Sequence, residues 1–111
     1  MKLVDVKCTP CQAGIPHISR DQAVQYLKEI NEWKLVENAT KLKKDFKFRD
    51  FLTALSFVNK ISQLCEKEGH HPDIAFGWGY VHVFFYTHKI KGLHKNDFVM
   101  AAKVDRIIKE Y

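Results

Sequence analysis

Cysteine is scarce in this chain. There are three in 111 residues, and the odd number argues against a disulfide framework. Cys8 and Cys11 form a lone CxxC. A zinc ribbon needs a second ligand pair, and Cys65 alone does not supply one. A redox CxxC opens a helix within a βαβ unit, whereas Pro10 and Gly14 surround this pair. It reads as part of a surface N-terminal arm. Long apolar runs are also missing. No segment approaches the ~20 residues of a membrane span. Met1 to Cys8 alternate apolar and polar, without the apolar stretch of a secretory leader. The expectation is a cytoplasmic protein with no membrane contact.

Strong charge bias is absent as well. Lysine and arginine total 18 against 13 acids, a net +5. Nucleic-acid binders concentrate such charge on one face. Here it is scattered, with short groupings at Lys41–Lys44 and Lys89–Lys95, so no nucleic-acid partner is expected. No repeat of fixed period is present. With 46% hydrophobic and 28% charged residues, the composition is that of one globular domain. Pro10, Gly14 and Pro16 break any periodicity in residues 1–18, which read as an arm, and residues 19–111 read as the domain.

Within that domain, Ser19 and Gln22 form a capping box, followed by Ala23, Leu27 and Ile30 at helical spacing. Segments 32–37 and 40–48 flank Glu37-Asn38-Ala39 and read as a β-hairpin, with Phe46 and Phe48 on one face. A long helix is expected over 49–68, with a stripe of Phe51, Ala54, Leu55, Val58, Ile61 and Cys65 and a C-cap at Gly69. Leu52, Phe57 and Leu64 widen that stripe beyond one core contact, which points to self-association. Strands follow at 73–78 and 80–88, then a last helix at 95–110. The fold class is α+β: a four-stranded antiparallel sheet with three helices on one face, in the order α-β-β-α-β-β-α.

Chemistry concentrates in residues 66–97, which hold His70, His71, His82, His88 and His94. Histidine has an ordinary pKa near ~6.5 and can donate or accept a proton at neutral pH. His82 lies within a strand and reads as structural, and His94 reads as a helix cap. Asp97 suits a first helical turn, whereas Glu66 sits in a last turn, where the helix dipole disfavours an acid. Zinc held by Glu66, His70 and His88 is the competing reading. There is no HExxH pair, and adjacent extended histidines point to opposite sides. Acid–base chemistry is therefore preferred to a metal site.

Glu66-Lys67-Glu68-Gly69-His70-His71-Pro72, then Trp78, His88 and Asp97, resembles the signature of pterin-4a-carbinolamine dehydratases. The likeness extends to Phe46–Phe51, Tyr80–Val83, Thr87-His88 and Gly92-Leu93, and the Cys8-x-x-Cys11-x-Ala13-Gly14 lead-in is similar to bacterial members. Asn96 stands where animal members carry Arg, so no cationic substrate contact is carried to that position. Animal members also have an acid-Trp pair after the Pro. Here Asp73-Ile74 follows Pro72, leaving Trp78 as the expected stacking aromatic.

The resemblance implies dehydration of 4a-hydroxytetrahydropterin to quinonoid dihydropterin, recycling the cofactor of aromatic amino-acid hydroxylases. No metal and no cofactor is implied. His70 and His88 are implied as acid and base in either order, and His71 as a substrate-binding or proton-transfer residue. Glu66 and Asp97 would orient the imidazoles, with Pro72 and Trp78 supporting substrate binding. A homodimer or homotetramer is implied. The alternative is a non-catalytic dimerisation or transcriptional cofactor module.

Overall fold

The computed structural model describes residues 2–9 and 16–111; Cys11, half of the CxxC, lies outside them. Helix α1 spans Arg20–Leu27, and the Ser19–Gln22 capping box opens it. Strands β1 (Lys34–Val36) and β2 (Lys41–Lys47) form the first hairpin. Helix α2 spans Phe51–Glu68, and the Asp50 carboxylate caps it by accepting from Thr53 N at 2.8 Å. Strands β3 (Asp73–Gly77) and β4 (Tyr80–Phe85) make the second hairpin, and α3 spans Lys95–Ile108. The sheet is antiparallel throughout, in the order β1-β2-β4-β3. The chain is thus the expected α+β arrangement.

Strand alternation sends Leu42 and Phe46 of β2, and Val81, Val83 and Phe85 of β4, toward the helices, where all are buried. They meet Ala54, Phe57, Ile61 and Cys65 of α2 and Phe98, Ala101 and Val104 of α3. Phe57 is therefore a core residue, its ring tilted against those of Phe46 and Phe48, and Leu64 packs partly buried against the core. Of the three residues expected to widen the stripe of α2, only Leu52 is free, at 74% exposure.

The inward face of β2 also carries Lys44, between Leu42 and Phe46, which makes its apolar alternation look broken in the sequence. Lys44 is only 7% exposed, and Asp105 Oδ1 accepts from its Nζ at 2.8 Å. Asp105 also accepts from Trp33 Nε1 at 3.0 Å and from Asn31 N at 3.1 Å, tying α3 to the start of β1. A buried cation stripped of its partner keeps its desolvation cost. Asp105→Ala should therefore destabilise the fold by about 3–5 kcal/mol, read from urea unfolding. A loss below about 1 kcal/mol would show that the pair is idle.

Strand β4 ends at Phe85, short of the expected 88. Thr87 bridges to Gly92 instead, and His88 opens a 3-10 turn, His88–Ile90. That break takes the chain off the end of the sheet and brings residues 86–89 round to the end of α2.

Candidate active site

Three chain breaks meet at one end of the molecule. The first is the C-terminus of α2. Gly69 adopts φ +69°, a left-handed conformation that a side chain disfavours. Its N–H bonds Glu66 O, and the N–H of His70 reaches back to Cys65 O at 3.2 Å. This Schellman geometry ends the helix and throws His70 inward. The side chain of His70 is 11% exposed and stacks on the Phe85 ring at 6.2 Å between centroids.

The second break is the start of α3. His94 caps it, accepting from Asn96 N through Nδ1 at 3.0 Å. Asp97, three residues on, is fully buried. Its Oδ2 accepts from His94 N at 2.9 Å and from Thr87 Oγ1 at 2.8 Å. Its Oδ1 meets His70 Nε2 at 2.6 Å. A carboxylate only accepts, so Nε2 of a neutral His70 ring carries the hydrogen and Nδ1 keeps its lone pair. That Nδ1 has no protein partner among the described residues and is not sealed from solvent.

The third break is the turn after β4. The exposed His88 ring lies 4.0 Å from the Tyr86 ring, centroid to centroid. Between these breaks lies a pocket of about 450 Å³. His70, His71 and His88 all line it, with Gly69, Tyr86, Thr87 and Lys89. His71 points outward, with its side chain 60% exposed, and its Nε2 meets Glu66 Oε2 at 2.7 Å. Each histidine of the His70-His71 pair thus has its own carboxylate. Pro72 is half-buried and turns the chain from the helix cap into β3.

Trp78 does not join this cluster. It stands 71% exposed in the turn between β3 and β4, while the pocket takes residues beyond the other end of β4. The five steps from Tyr80 to Phe85 put about 16 Å between the two ends. Within one chain Trp78 is no stacking partner for the pocket, and Tyr86 is the aromatic that lines it. His82 also lies elsewhere, paired with Asp45 across β2 and β4. Among the described residues, no group of three His, Cys, Asp or Glu side chains converges to hold a metal ion.

The sequence reading passed over several groups in the site. Thr87 is buried, and its hydroxyl completes the shell of Asp97. Glu68 also lines the pocket with a side chain only 10% exposed, and it accepts from Cys8 N at 3.2 Å. Glu68, at the last position of α2 and shielded, feels the unfavourable end of the helix dipole more strongly than the solvated Glu66. Cys8 and Thr9 of the arm line the pocket as well. Burial, with the charge of Glu68 next, pushes the Cys8 thiol up to about 12. Burial does the same to Cys65. Both are therefore poor nucleophiles at neutral pH.

The family model described as pterin 4 alpha carbinolamine dehydratase matches residues 16–107. A relative from Methylococcus capsulatus is 55% identical over 104 residues, covering 94% of this chain and 91% of its own length. One from Halorhodospira halophila is 50% identical over 107 residues, covering 96% and 98%. Both are named for pterin-4-alpha-carbinolamine dehydratase. A crystal structure titled transcriptional coactivator/pterin dehydratase, from Brucella melitensis, superposes with TM-score 0.77 at 28% identity. It covers 82% of this chain and 97% of that one. A pterin dehydratase-like protein described as a RuBisCO assembly factor of the alpha-carboxysome gives TM-score 0.60 at 26% identity, covering 69% and 92%. With most of its length inside the family match, this chain belongs to the pterin 4 alpha carbinolamine dehydratase family.

Proposed function

We propose that this protein dehydrates 4a-hydroxytetrahydropterin to quinonoid dihydropterin and water by histidine acid–base catalysis. The observation that carries the reading is the pairing of His70 with the buried Asp97, beside His88 on the same pocket. In the reaction the N5–H proton leaves, its electron pair forms the C4a–N5 double bond, and the C4a–O bond breaks. The departing hydroxyl takes a proton and becomes water. His70, with Nε2–H tied to Asp97, offers the lone pair of Nδ1 as the base. His88 gives the proton to the leaving oxygen. His71, held by Glu66, binds substrate at the rim. A pocket of about 450 Å³ suits a bicyclic ligand of this size.

The domain 19–111, with the arm that packs on it, would act in the cytoplasm, regenerating the pterin cofactor of an aromatic amino-acid hydroxylase, with no metal or cofactor of its own. Among the described residues, no helix is long and apolar enough to cross a membrane. The experiment is a hydroxylase-coupled assay on exhaustively chelated protein. Decay of the 4a-carbinolamine should be accelerated as much as before chelation. Activity lost to chelator and restored by zinc would sink the acid–base reading.

The coactivator title of the Brucella neighbour supports a second reading, a non-catalytic cofactor module. Such a module has no need of two histidine–carboxylate pairs beside one pocket, which favours the enzyme.

Self-association belongs to the same proposal, on a patch that keeps only Leu52 of the three residues the sequence suggested. Phe51, Leu52, Trp78 and Tyr80 are all exposed at the end of the molecule away from the pocket. There Phe48 N bonds Gly79 O and the Phe51 ring packs on Phe76. A cluster of exposed large apolar side chains marks a contact surface. Light scattering at micromolar concentration should report a dimer or tetramer, and a monomer alone would refute this.

A further inference from the structure

Residues 2–9 precede the segment that the family model matches, yet they are built into the domain. Leu3 is buried, and its 3-10 turn, Leu3–Asp5, packs against α3. At the other end of this stretch the main chain is fastened beside the pocket. Asn96, itself buried, accepts from Thr9 N through Oδ1 at 3.0 Å and donates to Thr9 O through Nδ2 at 2.6 Å. One amide side chain thus satisfies both main-chain groups of Thr9, as a neighbouring strand would. Glu68 takes the remaining N–H, that of Cys8, at 3.2 Å. Side-chain bonds to three of their main-chain groups leave Cys8 and Thr9 little freedom, and both residues line the pocket.

We infer that Cys8 and Thr9, at the end of the arm that residues 2–9 form, are a fixed wall of the substrate pocket, with Asn96 and Glu68 as the positioning residues that hold it and so set the affinity for the pterin. The inference rests on the dehydratase reading above, because the ligand is the one that reading supplies. The wall faces bound substrate but carries none of the acid–base groups. Loosening it removes binding that ground state and transition state share, which raises KM and spares kcat.

The test measures KM, kcat and the alkylation rate of Cys8, followed by peptide mass mapping, in the full-length protein. Asn96→Ala and Glu68→Ala should raise KM for the 4a-carbinolamine about five- to tenfold, the change that losing one or two ordinary hydrogen bonds produces. Their kcat should stay within about twofold, and Cys8, half-buried in the intact protein, should be more exposed and alkylated faster. Glu68→Gln keeps an oxygen to accept the Cys8 N–H and should restore the affinity lost in Glu68→Ala. Should Asn96→Ala fail to fold, Leu3→Ala loosens the arm from outside the pocket and should give the same signature.

Faster Cys8 alkylation with unchanged KM would overturn the wall. Unchanged alkylation and unchanged KM would overturn the positioning roles. A wild-type protein without dehydratase activity would remove the reading beneath the inference and the pterin wall with it. A fall in kcat alone would place Asn96 and Glu68 in the chemistry and contradict the assignment.

Discussion

Alanine at His70 or at His88 is expected to lower the single-turnover dehydration rate by roughly 10²-fold or more. Both side chains line the one pocket between the end of α2, the turn after β4 and the start of α3. Each would move a different proton, so neither replaces the other. Losing both should cost far less than the product of the single losses, because groups acting as a unit are non-additive. His82→Ala is the control. That ring pairs with Asp45 on β2 and lies outside the pocket lining, so its loss should change the rate little. His94→Ala removes the cap of α3, which should cost about 1 kcal/mol of stability with a far smaller effect on rate. Circular dichroism checks that all four variants are folded. A crippled His82→Ala beside a near-normal His88→Ala would show that the site is misassigned.

The second large effect is expected at Asp97. Its two oxygens accept from His70, Thr87 and the main chain of His94 inside the core. Asp97→Asn keeps the shape, and one amide oxygen can still serve Thr87 and His94. The NH₂ group then faces His70 Nε2 and needs an acceptor there. The imidazole must move its hydrogen to Nδ1, and the pocket loses its lone pair. The rate should fall by about 10²–10⁴-fold while the protein stays folded, as expected when a catalytic imidazole is held in the wrong tautomer. NMR of the ring nitrogens reads the tautomer directly. An Asp97→Asn protein with the His70 hydrogen on Nδ1 and a normal rate would remove His70 as the base.

The fold was legible because its local signals agree. The Ser19–Gln22 box, the Gly69 stop and the period-two run Val81, Val83, Phe85 each point to one conformation, and each element follows. What escaped depends on tertiary partners. Lys44 breaks the alternation of β2, and only Asp105, 61 residues later, makes its burial acceptable. Phe57 looked like surplus apolar surface until Phe46 and Phe48 packed on it. The end of β4 at Phe85 follows from the Thr87–Gly92 bridge, which no periodicity announces.

Within the site, the order of acid, His-His-Pro, His and Asp pointed to the cluster, but not to who holds whom. A place in the last helical turn, where the dipole disfavours an acid, singled out Glu66, and it does meet His71. The pairing of His70 with Asp97 spans 27 residues. Trp78 was assigned by its type and order alone, and strand geometry carries it to the far end of the hairpin. Glu68, Thr87 and Asn96 are polar residues whose importance lies in their burial, which spacing does not report.

The central claim is that the pocket holding His70 and His88 dehydrates a pterin carbinolamine. Its most direct test is the single-turnover decay of isolated 4a-hydroxytetrahydropterin, followed by absorbance, with wild-type protein, with the His70→Ala/His88→Ala double variant and with buffer alone. The account predicts rapid formation of quinonoid dihydropterin with wild type and decay close to the buffer rate with the double variant. Wild-type decay no faster than buffer, or a double variant as fast as wild type, would contradict it.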